Sequence, residues 1–519
     1  MDTVLGPPLE RPPHDIVVLS DLHLGRGKNP ETGRYFSLEA FFYDDDFRRL
    51  CRYLVDEATR RGVPLRVVMN GDVFDLLRIE PPDAPPGATQ RVRRYGPMVG
   101  PLEAARMVAE ILAGHPAFVD GLAHLLGSGV EVVFLPGNHD IELQWEPVQQ
   151  ELSRTLIAAV RRRTNEITAR DAQARLSFAP WFYYEPGRIW IEHGCQYDSE
   201  SSFRYPLRTG LVHDRHAADC SEVDMPLGNF FQRYLYNAFG HITFIVPSTR
   251  ANLRYMKWML ANQPVLVMRV FASQAPFAVQ LLRRLAQYKT AGREVLRRAH
   301  DAELKQLAES SGLGEKLEVI DELKDVPHDL VQGMRAVGVQ SIKFATAGLF
   351  TALVSLGLWF AGVATINEVR SGLGFKTFLF LALNFLFLAI GLFGAGFAFF
   401  RGPPGSPPTP LWRAARQIAA LLDVPIVTFG HTHDEALWRL QRPSGEPAWY
   451  YNTGTWIAVF THDELMPRER VQFTYLSVRG NEAELLQWSP GRNEPLPVIL
   501  IDEETGGGGS VHPGAAPAA

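Results

Sequence analysis

From residue 15 onward, short apolar runs alternate with longer stretches of helical periodicity, which is the rhythm of an α/β domain. The runs at 16–19, 66–69, 132–135 and 189–191 predict buried strands, and each passes directly into a polar cluster. Strand-like sequence returns at 425–429, 449–451 and 471–478. Between the two arms, residues 201–340 lack this punctuation. Aromatic-rich sequence around 229–244 and charged helical sequence from 293 to 324 predict a mostly helical insertion there.

Two stretches break the pattern altogether. Residues 344–366 and 377–400 contain no charged side chain, and each exceeds the roughly 20 residues that cross about 30 Å of hydrocarbon as a helix. Being apolar all round, they predict a transmembrane hairpin over 341–401 that turns at 367–376. Lys343, Arg401, Arg413 and Arg416 flank it outside, and Arg370 and Lys376 lie in the turn. The bias favours a multi-pass membrane protein with a cytoplasmic main body. Residues 402–410 read as a proline-rich linker, and residues 1–14 and 505–519 as disordered ends. The α/β domain is thus expected in two parts, 15–200 and 411–504.

Composition narrows the function. With 52 basic against 57 acidic residues the formal charge is -5, so nothing suggests a surface held to nucleic acid by counterion release, and no nucleic-acid partner is expected. Three cysteines, Cys51, Cys195 and Cys220, make no disulfide framework and fit a reducing compartment. The first fifteen residues lack the apolar core of a signal peptide.

The chemistry lies in five polar clusters behind predicted strands: Asp21 with His23; Gly71, Asp72 and Asp75; Gly137, Asn138, His139 and Asp140; His193 with Gly194; Gly430, His431 and His433. A site for two divalent cations needs oxygen and imidazole donors from several loops and one carboxylate that can touch both ions. This set supplies them. Strand alternation would point Asp21 and His23 the same way, and likewise His431 and His433. Singly each cluster reads as an ordinary turn or surface pair; five in this order behind apolar runs do not.

These residues resemble the signature of the calcineurin-like metallophosphoesterases, over 16–198 and 425–456. The resemblance implies a sandwich of two mixed sheets flanked by helices, with metals at the strand ends. It implies that Asp21, His23 and His433 hold one metal, that Asn138, His193 and His431 hold the other, and that Asp72 bridges them. His139 would give a proton to the leaving oxygen or stabilise the transition state, Asp140 would orient its ring, and Asp75 would support the ligands. Two divalent cations, manganese, iron or zinc, would activate water for in-line attack on a phosphate ester or pyrophosphate. Within the class, the segments 19–25, 72–76 and 193–198 are similar to UDP-2,3-diacylglucosamine hydrolases. Those enzymes carry arginine where this chain has His139, and they lack a membrane hairpin. The hairpin makes a lipid-linked phosphoester at the bilayer the leading substrate class, with a soluble phosphoester as its rival. A nuclease of the same fold and a membrane scaffold with a phosphoesterase domain are the alternatives.

Overall fold

The structure, a computed structural model, describes residues 14–78, 99–211, 222–234, 237, 244–246, 265, 292–326, 357–400, 410–462 and 467–498. In chain order the strands are β1 (Asp15–Leu19), β2 (Leu65–Asn70), β3 (Glu131–Leu135), β4 (Leu176–Phe178), β5 (Phe182–Glu185) and β6 (Ile189–Glu192). Next come β7 (Gly210–Leu211), β8 (Glu222–Val223), β9 (Phe244–Val246), β10 (Ile426–Phe429), β11 (Glu435–Gln441) and β12 (Pro447–Thr453). The last are β13 (Ala458–His462), β14 (Pro467–Val471), β15 (Thr474–Arg479), β16 (Glu482–Ser489) and β17 (Glu494–Pro497).

Seven strands form one sheet in the order β17-β16-β15-β1-β2-β3-β4, and five form a second, β11-β12-β10-β6-β5. In the first, β1 to β4 run parallel and β15 joins β1 antiparallel. In the second, β10 runs parallel to both β6 and β12. The pleat explains the continuous apolar runs. Ile16 and Val18 meet Ile189, Ile191 and Ile426 between the sheets, while Val17 and Leu19 turn the other way, into a core with Phe47, Leu50, Phe118 and Leu156. Those last four residues belong to helices Asp44–Arg61, Pro116–Gly127 and Glu146–Arg161. Helix Asp44–Arg61 opens on Asp44, Asp45 and Asp46, closes on Arg60 and Arg61, and ends at a left-handed Gly62, so its charges complement its dipole. On the far face of the second sheet, Leu304, Leu317, Ile320, Leu411 and Ile418 share another core. Two sheets therefore pack face to face between helical layers.

All seven strand expectations correspond to observed strands. The 471–478 run is interrupted, because Phe473 has φ 54 and an extended strand cannot keep that conformation. The insertion departs more. The main compact unit comprises residues 1–326 and 410–519, and the second comprises 327–409. The described residues of 201–326 therefore belong with the α/β body; helices Gly292–Ser310 and Glu315–Glu322 bury their apolar faces there. The insertion also holds β7, β8 and β9, runs of two or three residues too short to show a period. His14, expected in a disordered end, is bonded to Glu185 at 2.8 Å; residues 1–13 and 505–519 lie outside the described residues.

In the second unit, a helix over 357–368 and helix Leu373–Phe400 are joined by a turn at 369–372. Trp359 Nε1 donates to Asn384 Oδ1 at 3.3 Å, linking the two. Leu358, Phe360, Phe378, Leu381 and Phe385 are exposed. Among the described residues no helix is long and apolar enough to cross a membrane, so the expected spanning hairpin has no structural support. Much of it, residues 344–356 and the side chains from 388 onward, lies outside the described residues.

Candidate metal centre

Past the ends of β1, β2, β3, β6 and β10, the chain turns sharply and delivers the candidate ligands to one place. Among the described residues eight non-glycine residues have positive φ, and five of them are Asp21, His23, Asp72, His431 and His433. A left-handed backbone is uncommon for such residues and persists only where surrounding bonds enforce it. Here they do. Asp21 N donates to the Gly71 carbonyl and His23 N to that of Asp72. The Asp21 carbonyl accepts from Thr455 Oγ1 at 2.6 Å and Trp456 N at 3.2 Å, and that of His433 from Gln472 Nε2 at 2.9 Å. The strand-alternation argument for Asp21 with His23 and His431 with His433 is thus corrected. β1 stops at Leu19 and β10 at Phe429, and it is the left-handed turns beyond them that bring each pair inward.

Three groups of buried or half-buried donors result: Asp21, His23 and His433; Asp72, His193 and His431; and His23, Asp72 and His139. Within each group the donor atoms lie within 4.8 Å of one another. His433 Nε2 is 3.2 Å from Asp21 Oδ1 and 2.9 Å from His23 Nε2. Asp72 Oδ2 stands between the first two groups, 3.2 Å from His193 Nε2 and 3.8 Å from His23 Nε2. Atoms about 2.1 Å from a common cation lie roughly 3–3.4 Å apart at tetrahedral or octahedral angles. The spacing suits divalent metals. Two buried atoms at the centre, Asn138 Oδ1 and His193 Nε2, have no hydrogen-bond partner, as donors reserved for a cation would not.

The ring orientations follow from what the other nitrogen meets. His193 Nδ1 donates to the Asn70 carbonyl at 2.9 Å, so once the ring is neutral Nε2 is the nitrogen with the lone pair. His23 Nδ1 lies 3.3 Å from Asp75 Oδ2. His431 Nε2 is 2.9 Å from Asp198 Oδ2, a partner that sequence reasoning missed. His139 requires a second correction. Its Nδ1 is held by Asp75 Oδ1 at 2.9 Å, so Asp75 and not Asp140 orients the ring. Asp140 instead accepts four backbone N–H groups, from Asp72, Val73, Phe74 and Gly137, at 2.7–3.1 Å. It ties the Asp72 loop to the Gly137 loop. Glycine is required at that crossing, because a Cβ on Gly137 would stand 2.5 Å from Asp72 N.

Burial opposes ionisation of Asp72, but the charges of His193 and His139 outweigh it and hold the carboxyl well below the usual range. His193 moves the other way: against burial, Asp72 and Asp21 push it up to about 10. Burial dominates at His433 and pushes it down to about 4. For Asp140, burial and the Asp72 charge prevail over its amide bonds and push it up to about 7. The centre therefore stores negative charge on Asp72 and a proton on His193 that a cation would displace.

The chain matches no family model and no curated protein among those compared.

Proposed function

We propose that the chain is a metal-dependent phosphoesterase of the calcineurin-like class, cleaving a phosphate ester or pyrophosphate. The observation that carries this reading is one oxygen: Asp72 Oδ2, placed between nitrogen donors of two ligand groups. One group is closed by His433 and the other by His431, both supplied by the distant second arm of the chain. Two sheets packed between helices, with donors past the strand ends, is also the arrangement the resemblance implies. Asp21, His23, Asp72 and His433 would hold one cation, and Asp72, Asn138, His193 and His431 the other; the donor set suits manganese, iron or zinc.

Bound there, two cations supply Lewis acidity that activates water and neutralises phosphoryl charge. The protein's part is positional and protonic. His139 has Nδ1 occupied by Asp75, which leaves Nε2 to hand a proton to the leaving oxygen. Against burial, the charges of Asp75 and Asp72 raise its pKa, which favours the protonated ring that a general acid needs. A water that has lost a proton to solvent bonds through its oxygen to phosphorus as the bond to the leaving oxygen breaks; the leaving oxygen takes the His139 proton, and His139 regains one from solvent.

A lipid-linked phosphoester is the favoured substrate class. Its support is the uncharged stretch 377–400 together with exposed Phe378, Leu381 and Phe385, which would seat the second unit in a bilayer. The test is a panel of nucleotide-linked lipids, phospholipids, bis-p-nitrophenyl phosphate and p-nitrophenyl phosphate with manganese-loaded protein. Hydrolysis that disappears in Asp72→Ala is expected. Loaded protein that cleaves none of them, while binding partners, would make the chain a scaffold; cleavage of single-stranded DNA alone would make it a nuclease.

A further inference from the structure

Two residues outside the candidate ligand set reach the second ligand group from the stretch 195–234. Asn229 lies on helix Leu227–Tyr234, whose approach is set by Gly228 N bonding to the Glu200 carbonyl at 2.7 Å. Just before it, Val223 and Met225 pack with Leu77, Ile141 and Phe203. Asn229 Nδ2 donates to the Asn138 carbonyl at 2.6 Å. A carbonyl only accepts, so this contact decides which end of the Asn229 amide is which. Its Oδ1 is then the acceptor for Asn138 Nδ2 at 3.2 Å, and Asn138 Oδ1 remains as the buried end without a partner. The two amides interlock.

Asp198 acts on the other rotatable ligand. Its Oδ2 lies 2.9 Å from His431 Nε2; a carboxylate accepts, so the ring hydrogen sits on Nε2 and the lone pair on Nδ1. Asn138 and His431 are the two ligands of this group that could otherwise turn an N–H toward the cation. Asp72 presents an oxygen either way, and the tautomer of His193 is set from β2 by the Asn70 carbonyl.

Resting on the metal reading above, we propose that Asn229 and Asp198 are positioning residues: they lock Asn138 and His431 in the metal-accepting orientation. The segment leading into the insertion thereby governs occupancy of the second cation site and not of the first. The site of Asp21, His23 and His433 receives neither contact.

The test is calorimetric titration of the metal-stripped full chain with manganese, for wild type, Asn229→Ala and Asp198→Asn. The amide that Asp198→Asn introduces can donate to His431 Nε2 and drive the ring hydrogen onto Nδ1, with almost no change in size. Wild type should show two sites. In each variant the second site should weaken about ten- to hundred-fold, while the first stays within about twofold and serves as an internal control on folding. Two sites of wild-type affinity in both variants would overturn the proposal and leave the metal reading intact. So would equal weakening of both sites, the mark of a general structural defect. Wild-type protein that binds no cation would overturn the metal reading and this inference together.

Discussion

The loop that follows His23 hangs on a buried ion pair, and its strength can be read by pH. Glu39 is buried and accepts N–H groups from Gly25, Gly27, Ala40 and Phe41. His115, also buried, lies 3.3 Å from Glu39 and 2.9 Å from Asp44. Burial works against a charged imidazole here, but the hydrogen bonds and charges of Asp44 and Glu39 prevail and push His115 from 6.5 up to about 9. At 1.36 kcal/mol per pH unit, the shift is worth about 3 kcal/mol. The folded-state pKa is raised, so this stability is fully present below about pH 6.5 and is lost as pH rises through about 9. Other groups titrate in that window, so the useful quantity is the gap between wild type and His115→Gln. Urea unfolding of the main unit's transition, in EDTA, should give a gap at pH 6 that shrinks by about 3 kcal/mol at pH 10. An identical gap at both pH values would mean that His115 is buried neutral and carries no charge to Glu39.

Further outcomes follow from the same geometry. His139→Gln should lower turnover by about 10²–10⁴-fold while both cations stay bound; loss of metal in that variant would make His139 a ligand, as its grouping with His23 and Asp72 allows. Gly137→Ala should push the Asp72 loop aside, costing about 1–3 kcal/mol in thermal or urea unfolding and much of the metal affinity; wild-type metal content would count against the close crossing. In alkaline carbonate extraction the chain should stay with the membrane fraction; release into the soluble fraction would remove the bilayer from the account.

Much of the scaffold was legible because β1, β2, β3 and β10 are buried on both faces and therefore read as unbroken apolar runs. The polar residues behind them were legible as candidate ligands by type. Their geometry was not. Asp21 enters the site through a left-handed turn held by Thr455, 434 positions away, and by Trp456 beside it, contacts that no local period encodes. Asp140 reads as a neighbour for His139, yet adjacent residues diverge at a sharp turn, and its oxygens go to four amides. Asp198 and Asn229 carried no signal, because their partners lie 233 and 91 positions away. Glu39 was hidden for a related reason: a lone carboxylate between apolar residues does not announce that four amides will enclose it.

Two cations sharing Asp72 require two metal ions per chain, a number that can be counted. Equilibrium dialysis of the stripped protein against manganese, followed by elemental analysis, should give two ions per chain for wild type and fewer for Asp72→Ala. One ion or none in wild type, or two in the variant, would rule out a pair of cations held by Asp72.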